Sequence, residues 1–151
     1  MLKYIILSFL VLNLNASSID LISDKLKKKS EIYKINKVNT LLNQYRYVSD
    51  KKLYGEKQHW ATANEFFSNK AGDCEDFAIM KALVLSRAGV LTKNLYIHAY
   101  RLKNGEAHAT LIVKTKKGLF ELDNRFNKPK KVNKPKHGLF TFKKILRMKY
   151  S

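Results

Sequence analysis

The stretch AGDCEDFAIMKALVLSRAGV, residues 71–90, holds the only cysteine of a 151-residue chain, and the fold is read outward from it. Phe77, Ala78, Ala82, Leu85 and Ala88 recur at helical spacing, so residues 74–88 read as a helix with one apolar stripe. Gly89 stops it. Asp73 is a natural N-cap, and Asp76 completes a carboxylate capping arrangement. Cys74 therefore falls on the first helical residue. There it is hemmed in by Asp73, Glu75 and Asp76, in a chain with 30 Lys+Arg against 12 Asp+Glu. Carboxylates beside a thiol discourage the thiolate. Either this thiol is inert, or something neutralises the acids.

Upstream, Ile35, Val38, Leu41, Leu42 and Tyr45 follow helical spacing and predict a helix over 35–47. Residues 19–33 read as a weakly specified helix, and 49–57 as a charged loop. Trp60 to Phe67 predicts a short helix with Thr62 as N-cap and Glu65 completing a capping box. Downstream the period changes. NLYIHAYRL (94–102), EAHATLIVKT (106–115) and GLFELDNR (118–125) are β-rich runs. Asn104-Gly105 predicts a two-residue hairpin turn, and Lys116-Lys117 another, with Gly118 just after it. After Asp123 the chain is basic and irregular, with a short helix over 140–148. Helices first and an antiparallel meander second make an α+β domain.

Composition sets bounds on function. Hydrophobic residues make up 45% of the chain, enough for one core. Residues 1–16 read as a cleavable signal peptide: a Lys3 start, an apolar run too short for a membrane span, and small residues near Ala16. Residues 17–151 then form a single domain with a basic tail from about 128. Export places the chain in an oxidising space, where a lone cysteine is either buried or a deliberately free thiol. The net charge of +18 favours polyanions. Export and the lack of aromatic–basic interleaving make nucleic acid the weaker choice against anionic lipid headgroups or an acidic protein substrate, and a solvated lysine-rich surface accounts for the charge equally well.

The turns fix a register. A turn at Lys116-Lys117 sets Thr115 against Gly118, which carries His108 opposite Arg125 and Asp123 opposite Thr110. His108 and Asp123 then share a face, one diagonal step apart. A two-residue turn at Asn104-Gly105 sets His98 opposite Leu111, on the other face. A cysteine at a helix start, a histidine on one strand and an aspartate on the next make a Cys-His-Asp set. Cysteine supplies a thiolate nucleophile, histidine takes and returns the proton, and aspartate orients the imidazole. The helix N-terminus offers N–H groups and partial positive charge to an oxyanion. Taken singly, each residue has an ordinary structural role; order and shared face unite them.

These segments resemble the bacterial transglutaminase-like cysteine proteases, among them the LapG-type periplasmic proteases that release surface adhesins. The likeness runs from KVNTLLNQYRYVSD (37–50) through HWATANEFFSNKAGDCEDFA (59–78) and HATLIV (108–113) to ELDNR (121–125). It implies a papain-like, transglutaminase-like core with the cysteine helix packed on an antiparallel sheet. It implies Cys74 as nucleophile, His108 as base, Asp123 as orienting acid, and Trp60 beside the substrate or oxyanion. It also implies calcium, with Asp73, Glu75 and Asp76 as ligands, which would neutralise the acids around the thiol. Ala63 departs from the family's usual proline, His59 from a usual aromatic, and the basic tail has no evident counterpart.

The resulting expectation is a periplasmic calcium-dependent cysteine endopeptidase. Its substrate would be the N-terminal retention region of a large surface adhesin, whose release governs biofilm attachment. An inner-membrane receptor would sequester it. Two readings stand beside it: an amidase or transglutaminase acting on cell-wall peptide or protein glutamine, and a non-catalytic module whose basic tail binds the anionic envelope.

Overall fold

The structure, a computed structural model, describes residues 17–150; the expected signal peptide at 1–16 lies outside the described residues. Two helices open the domain, α1 (Ser18–Leu26) capped by Ser17 and α2 (Glu31–Leu42) capped by Ser30. The Ser30 cap splits the segment that the sequence reads as one weak helix, so α2 starts and ends earlier than expected. Strand β1 (Arg46–Tyr47) follows and pairs in parallel with β2 (Ala71–Gly72), immediately before the cysteine helix. Between them lie α3 (Asp50–Tyr54), where a loop was expected, and α4 (Ala63–Asn69). Thr62 and Glu65 form the predicted capping box on α4, so Ala63 serves the first helical position without a proline. Helix α5 (Cys74–Arg87) begins as predicted: Asp73 accepts from the Glu75 and Asp76 N–H groups, and Asp76 accepts from the Asp73 N–H. At its far end the buried Lys34 ammonium donates to the Ala88 carbonyl at 2.7 Å, where the helix dipole favours a cation.

The main sheet is antiparallel, in the order β6-β5-β4-β3-β7. The meander is β3 (Leu95–Arg101), β4 (Ala107–Thr115) and β5 (Gly118–Leu122). One face, carrying Leu95, Ile97, Ala109, Leu111, Val113 and Leu122, joins α5 and the Ile35, Val38 and Leu42 stripe of α2 in a single core. The basic tail is ordered. β6 (Lys130–Val132) adds to β5 and β7 (Leu139–Thr141) to β3, so the tail closes both edges of the meander before α6 (Phe142–Tyr150). Strands this short and lysine-rich give no alternation for a sequence reading to detect.

The two hairpins behave differently. β4 and β5 pair in the expected register, from Thr115 opposite Gly118 to Leu111 opposite Leu122. β3 and β4 are shifted by one residue, with His98 opposite Thr110. The cause lies in the turn. The Gly105 N–H donates to Leu102 O at 2.9 Å, the Leu102 N–H to Glu106 O at 2.8 Å, and Gly105 has φ 86°. This is a three-residue loop ending in a left-handed glycine, not a two-residue turn. One extra residue reverses parity. His98 therefore lies on the same face as His108, Thr110 and Tyr100, which corrects the expectation that it lies opposite.

Candidate active site

Asp123 sits just past the end of β5. Its Oδ1 lies 3.1 Å from His108 Nε2, and both side chains are buried. The expected shared face and diagonal step place them there. Arg125, which the sequence reading passed over, clamps the same carboxylate. Its Nη2 donates to Oδ2 at 2.6 Å, its Nε reaches both oxygens at 3.1 Å, and its backbone N–H donates to Oδ1 at 2.9 Å. Burial opposes the Asp123 charge, but the bonds from His108 and Arg125 outweigh it and hold the carboxyl below the usual carboxylate range. Tyr100 packs edge-on against His108 and stacks on His98, whose Nδ1 faces Glu121 at 3.7 Å.

Next to His108 the sheet has a gap. The Ala99 N–H donates to Gly138 O, so in the antiparallel ladder the opposite residue, Ala109, directs its N–H away from β3. On that side β5 has already ended, since its pairing starts at Leu111. The Ala109 N–H, left open there, instead acts on the Cys74 thiol, favouring its thiolate. The Cys74 thiol therefore lies near the stretch of β4 that β5 leaves uncovered, beside the residue that follows His108. Cys74 is part-exposed and unpaired. Burial pushes its thiol up to about 11; the Ala109 N–H opposes that rise, and Asp73 and Glu75 add to it. Exposed Tyr47 on β1 stands close enough to feel that charge.

The acids around Cys74 divide. Asp73 and Asp76 gather with Asp50, their oxygens within 4.8 Å of one another, and Asp50 and Asp76 are buried. Asp50, placed there by the β1–β2 pairing and the start of α3, was missed by sequence reasoning. One of its oxygens accepts the His59 N–H at 2.7 Å; the other, Oδ1, is buried without a partner. Burial and then the Asp76 charge push the Asp73 carboxyl up to about 7. Glu75 is outside this group: its Oε2 accepts from Trp60 Nε1 at 2.8 Å. The indole N–H of Trp60 is thus engaged by Glu75. The Cys74 N–H, at the first helical position, is outside the Asp73 cap.

Beside Asp123 and Tyr100 opens a cavity of about 680 Å³, with Phe126 in its lining and Lys103, Lys128 and Lys130 around it. It is large enough for several residues of a polypeptide.

The sequence matches the family described as bacterial transglutaminase-like cysteine proteinase over residues 15–145, so most of the basic tail belongs to the family domain after all. Among solved structures, Legionella pneumophila LapG in EGTA-treated form is 33% identical, with a TM-score of 0.66 over 76% of this chain and 63% of that one. This chain thus spans a little under two thirds of that relative's length. The calcium-bound form of the same protein is 29% identical, with a TM-score of 0.67 over 88% of this chain and 78% of that one. No curated protein matches the sequence. Because the family match covers most of the chain and the fold agrees, the protein belongs to the bacterial transglutaminase-like cysteine proteinases.

Proposed function

We propose that the chain is a calcium-dependent cysteine endopeptidase of the cell envelope, with Cys74 as nucleophile, His108 as general base and Asp123 as its orienting acid. The observation that carries the reading is the buried His108–Asp123 pair, at 3.1 Å, one residue from the strand N–H of Ala109 that acts on the Cys74 thiol. With Nε2 anchored on Asp123, Nδ1 is the nitrogen left to take the thiol proton. The sulfur attacks the peptide carbonyl, and the Cys74 N–H and helix dipole stabilise the oxyanion. His108 then protonates the leaving amine and activates water to hydrolyse the thioester. Arg125 keeps Asp123 ionised throughout, ready to stabilise the imidazolium.

The residues at the helix start fit a hard cation. Three carboxylates repel one another there, and a buried Asp50 oxygen has no partner. Asp73 and Asp76, with Asp50 in place of the expected Glu75, are the side chains that would hold calcium. Bound calcium supplies positive charge that offsets the field of these acids on the thiolate and pins the start of α5.

The relative solved with calcium supports this assignment, and the resemblance supports a protein substrate such as the retention region of a surface adhesin, with an inner-membrane receptor as regulator. Export through the leader at 1–16 completes the reading. Among the described residues no helix is long and apolar enough to cross a membrane. Iodoacetamide labelling of Cys74 across a calcium titration, with chelator as control, tests nucleophile and metal together. Adhesin processing that survives Cys74→Ala or His108→Ala refutes the enzyme assignment.

A further inference from the structure

Lys81 lies on α5, two turns beyond Cys74, and is wholly buried. Its Nζ has no hydrogen-bond partner among the described residues, although its charge acts on Asp123. Burial pushes this ammonium down to about 7, and the Asp123 charge resists the drop. The Nζ lies 5.7 Å from the centroid of the Phe77 ring, and a buried ammonium with no hydrogen bond is costly. Three buried acceptors also lack partners: Oδ1 of Asn39, Asn43 and Asn124. Their orientation is settled for two of them. The Asn39 amide donates to the Phe126 and Asn127 carbonyls, both at 2.8 Å, and the Asn43 amide to the Asp123 and Phe126 carbonyls at 2.9 and 3.0 Å. An ammonium carries three donors and no acceptor; three amide oxygens carry the matching deficit. Asn39 lies on α2, Asn43 caps its C-terminus, Lys81 lies on α5, and Asn124 lies in the turn at 123–127, which carries the carboxylate that holds His108.

We propose that Lys81 is a positioning residue for Asp123, its ammonium joined through ordered water to Asn39, Asn43 and Asn124 in a buried polar centre that fixes the 123–127 turn. This rests on the triad reading. Water suits the site because the groups are polar, buried and beyond direct contact. The centre ties the turn to the helix that carries Cys74, so nucleophile and orienting acid share one support.

The test compares wild type, Lys81→Met, Asn43→Ala and the double variant as mature, calcium-loaded protein. Cleavage of a fluorogenic peptide taken from the retention region of a surface adhesin and thermal unfolding are measured, with His108 imidazole NMR signals in a Cys74→Ala background. Lys81→Met relieves a buried charge but leaves the three amide oxygens without their water-bridged donor, so it should fold with a Tm lowered by a few degrees. Its kcat should fall on the order of 10- to 100-fold with KM little changed, the signature of misplacement. The double variant should lose no more than the worse single, and the His108 signals should shift. A kcat within about twofold of wild type, or losses that multiply, overturns the proposal. If wild type itself does not cleave, the triad reading fails, and unshifted His108 signals then decide against Lys81 separately. Should Lys81→Met not fold, Asn43→Ala must show the same kcat loss and the same shift.

Discussion

Gly72→Ala tests whether the approach to the cysteine helix is built around missing volume. A Cβ at Gly72 would stand 2.8 Å from Asp76 Cβ, 2.9 Å from Asp76 Oδ2 and 2.9 Å from Phe66 Cδ2. Phe66 is held edge-on between Phe67 and Phe77 in the core, so it has little room to yield. The load falls on Asp76, which accepts from the Ala61 N–H at 2.9 Å and the Asp73 N–H at 3.2 Å. Overpacking costs about 1–3 kcal/mol. Weakening one of two charged hydrogen bonds adds about 1 kcal/mol or more. A total near 2–4 kcal/mol lowers Tm by roughly 10 °C in a domain of this size. The displacement also moves one of the three clustered acids, so calcium affinity should fall by about tenfold or more, about 1.4 kcal/mol. The assay is thermal unfolding by circular dichroism in chelator and then across a calcium titration. A Tm within about 2 °C of wild type with unchanged calcium response would show that the space at Gly72 carries no such constraint.

Three further outcomes follow from the same geometry. Arg125→Ala removes the clamp on Asp123 and should lower kcat by about tenfold with KM little changed. Its effect on stability depends on pH. Asp123 is held low in the fold, so the clamp's stabilisation is present above the ordinary carboxylate pKa and lost as pH falls through the folded one. The Tm gap to wild type should therefore be several degrees at neutral pH and close progressively below about pH 4. Asp50→Asn keeps an oxygen for the His59 N–H but removes one of three clustered charges. Chelated protein should gain stability, on the order of 1 kcal/mol, and calcium should bind at least about tenfold more weakly; unchanged calcium affinity by calorimetry removes Asp50 from the site. Thr62→Ala breaks the capping box on α4 and should cost about 1 kcal/mol of stability by denaturant unfolding. Its kcat should stay within about twofold, because the cap touches no reacting group.

What the sequence revealed was local in origin. Asp73 and Thr62 announce helix starts because a cap bonds within its own next three residues. The Lys116-Lys117 turn fixes β4 against β5 for the same reason, and His108 and Asp123 meet as a result. Asn104-Gly105 is the instructive failure. The same dipeptide serves a two-residue turn and the end of a three-residue loop, and strand periodicity cannot choose between them. The error moved His98 across the sheet but left His108 untouched, since His108 is registered to Asp123 through the other hairpin. Asp50, Arg125 and Lys81 were illegible for a different reason. Each becomes functional through a partner brought by tertiary structure: Asp50 by a two-residue parallel ladder, Arg125 by the chain turning back after β5, Lys81 by burial no lysine signals in advance. The same holds for the contact on which the chemistry depends. Nothing in residues 107–115 says that the Ala109 N–H will be left open. That follows only from β5 ending before it, while Gly138 takes the opposite residue's N–H on the far side of β3. The sulfur therefore finds its place because a strand stops, and moving the end of β5 by one pair would close the gap that admits it.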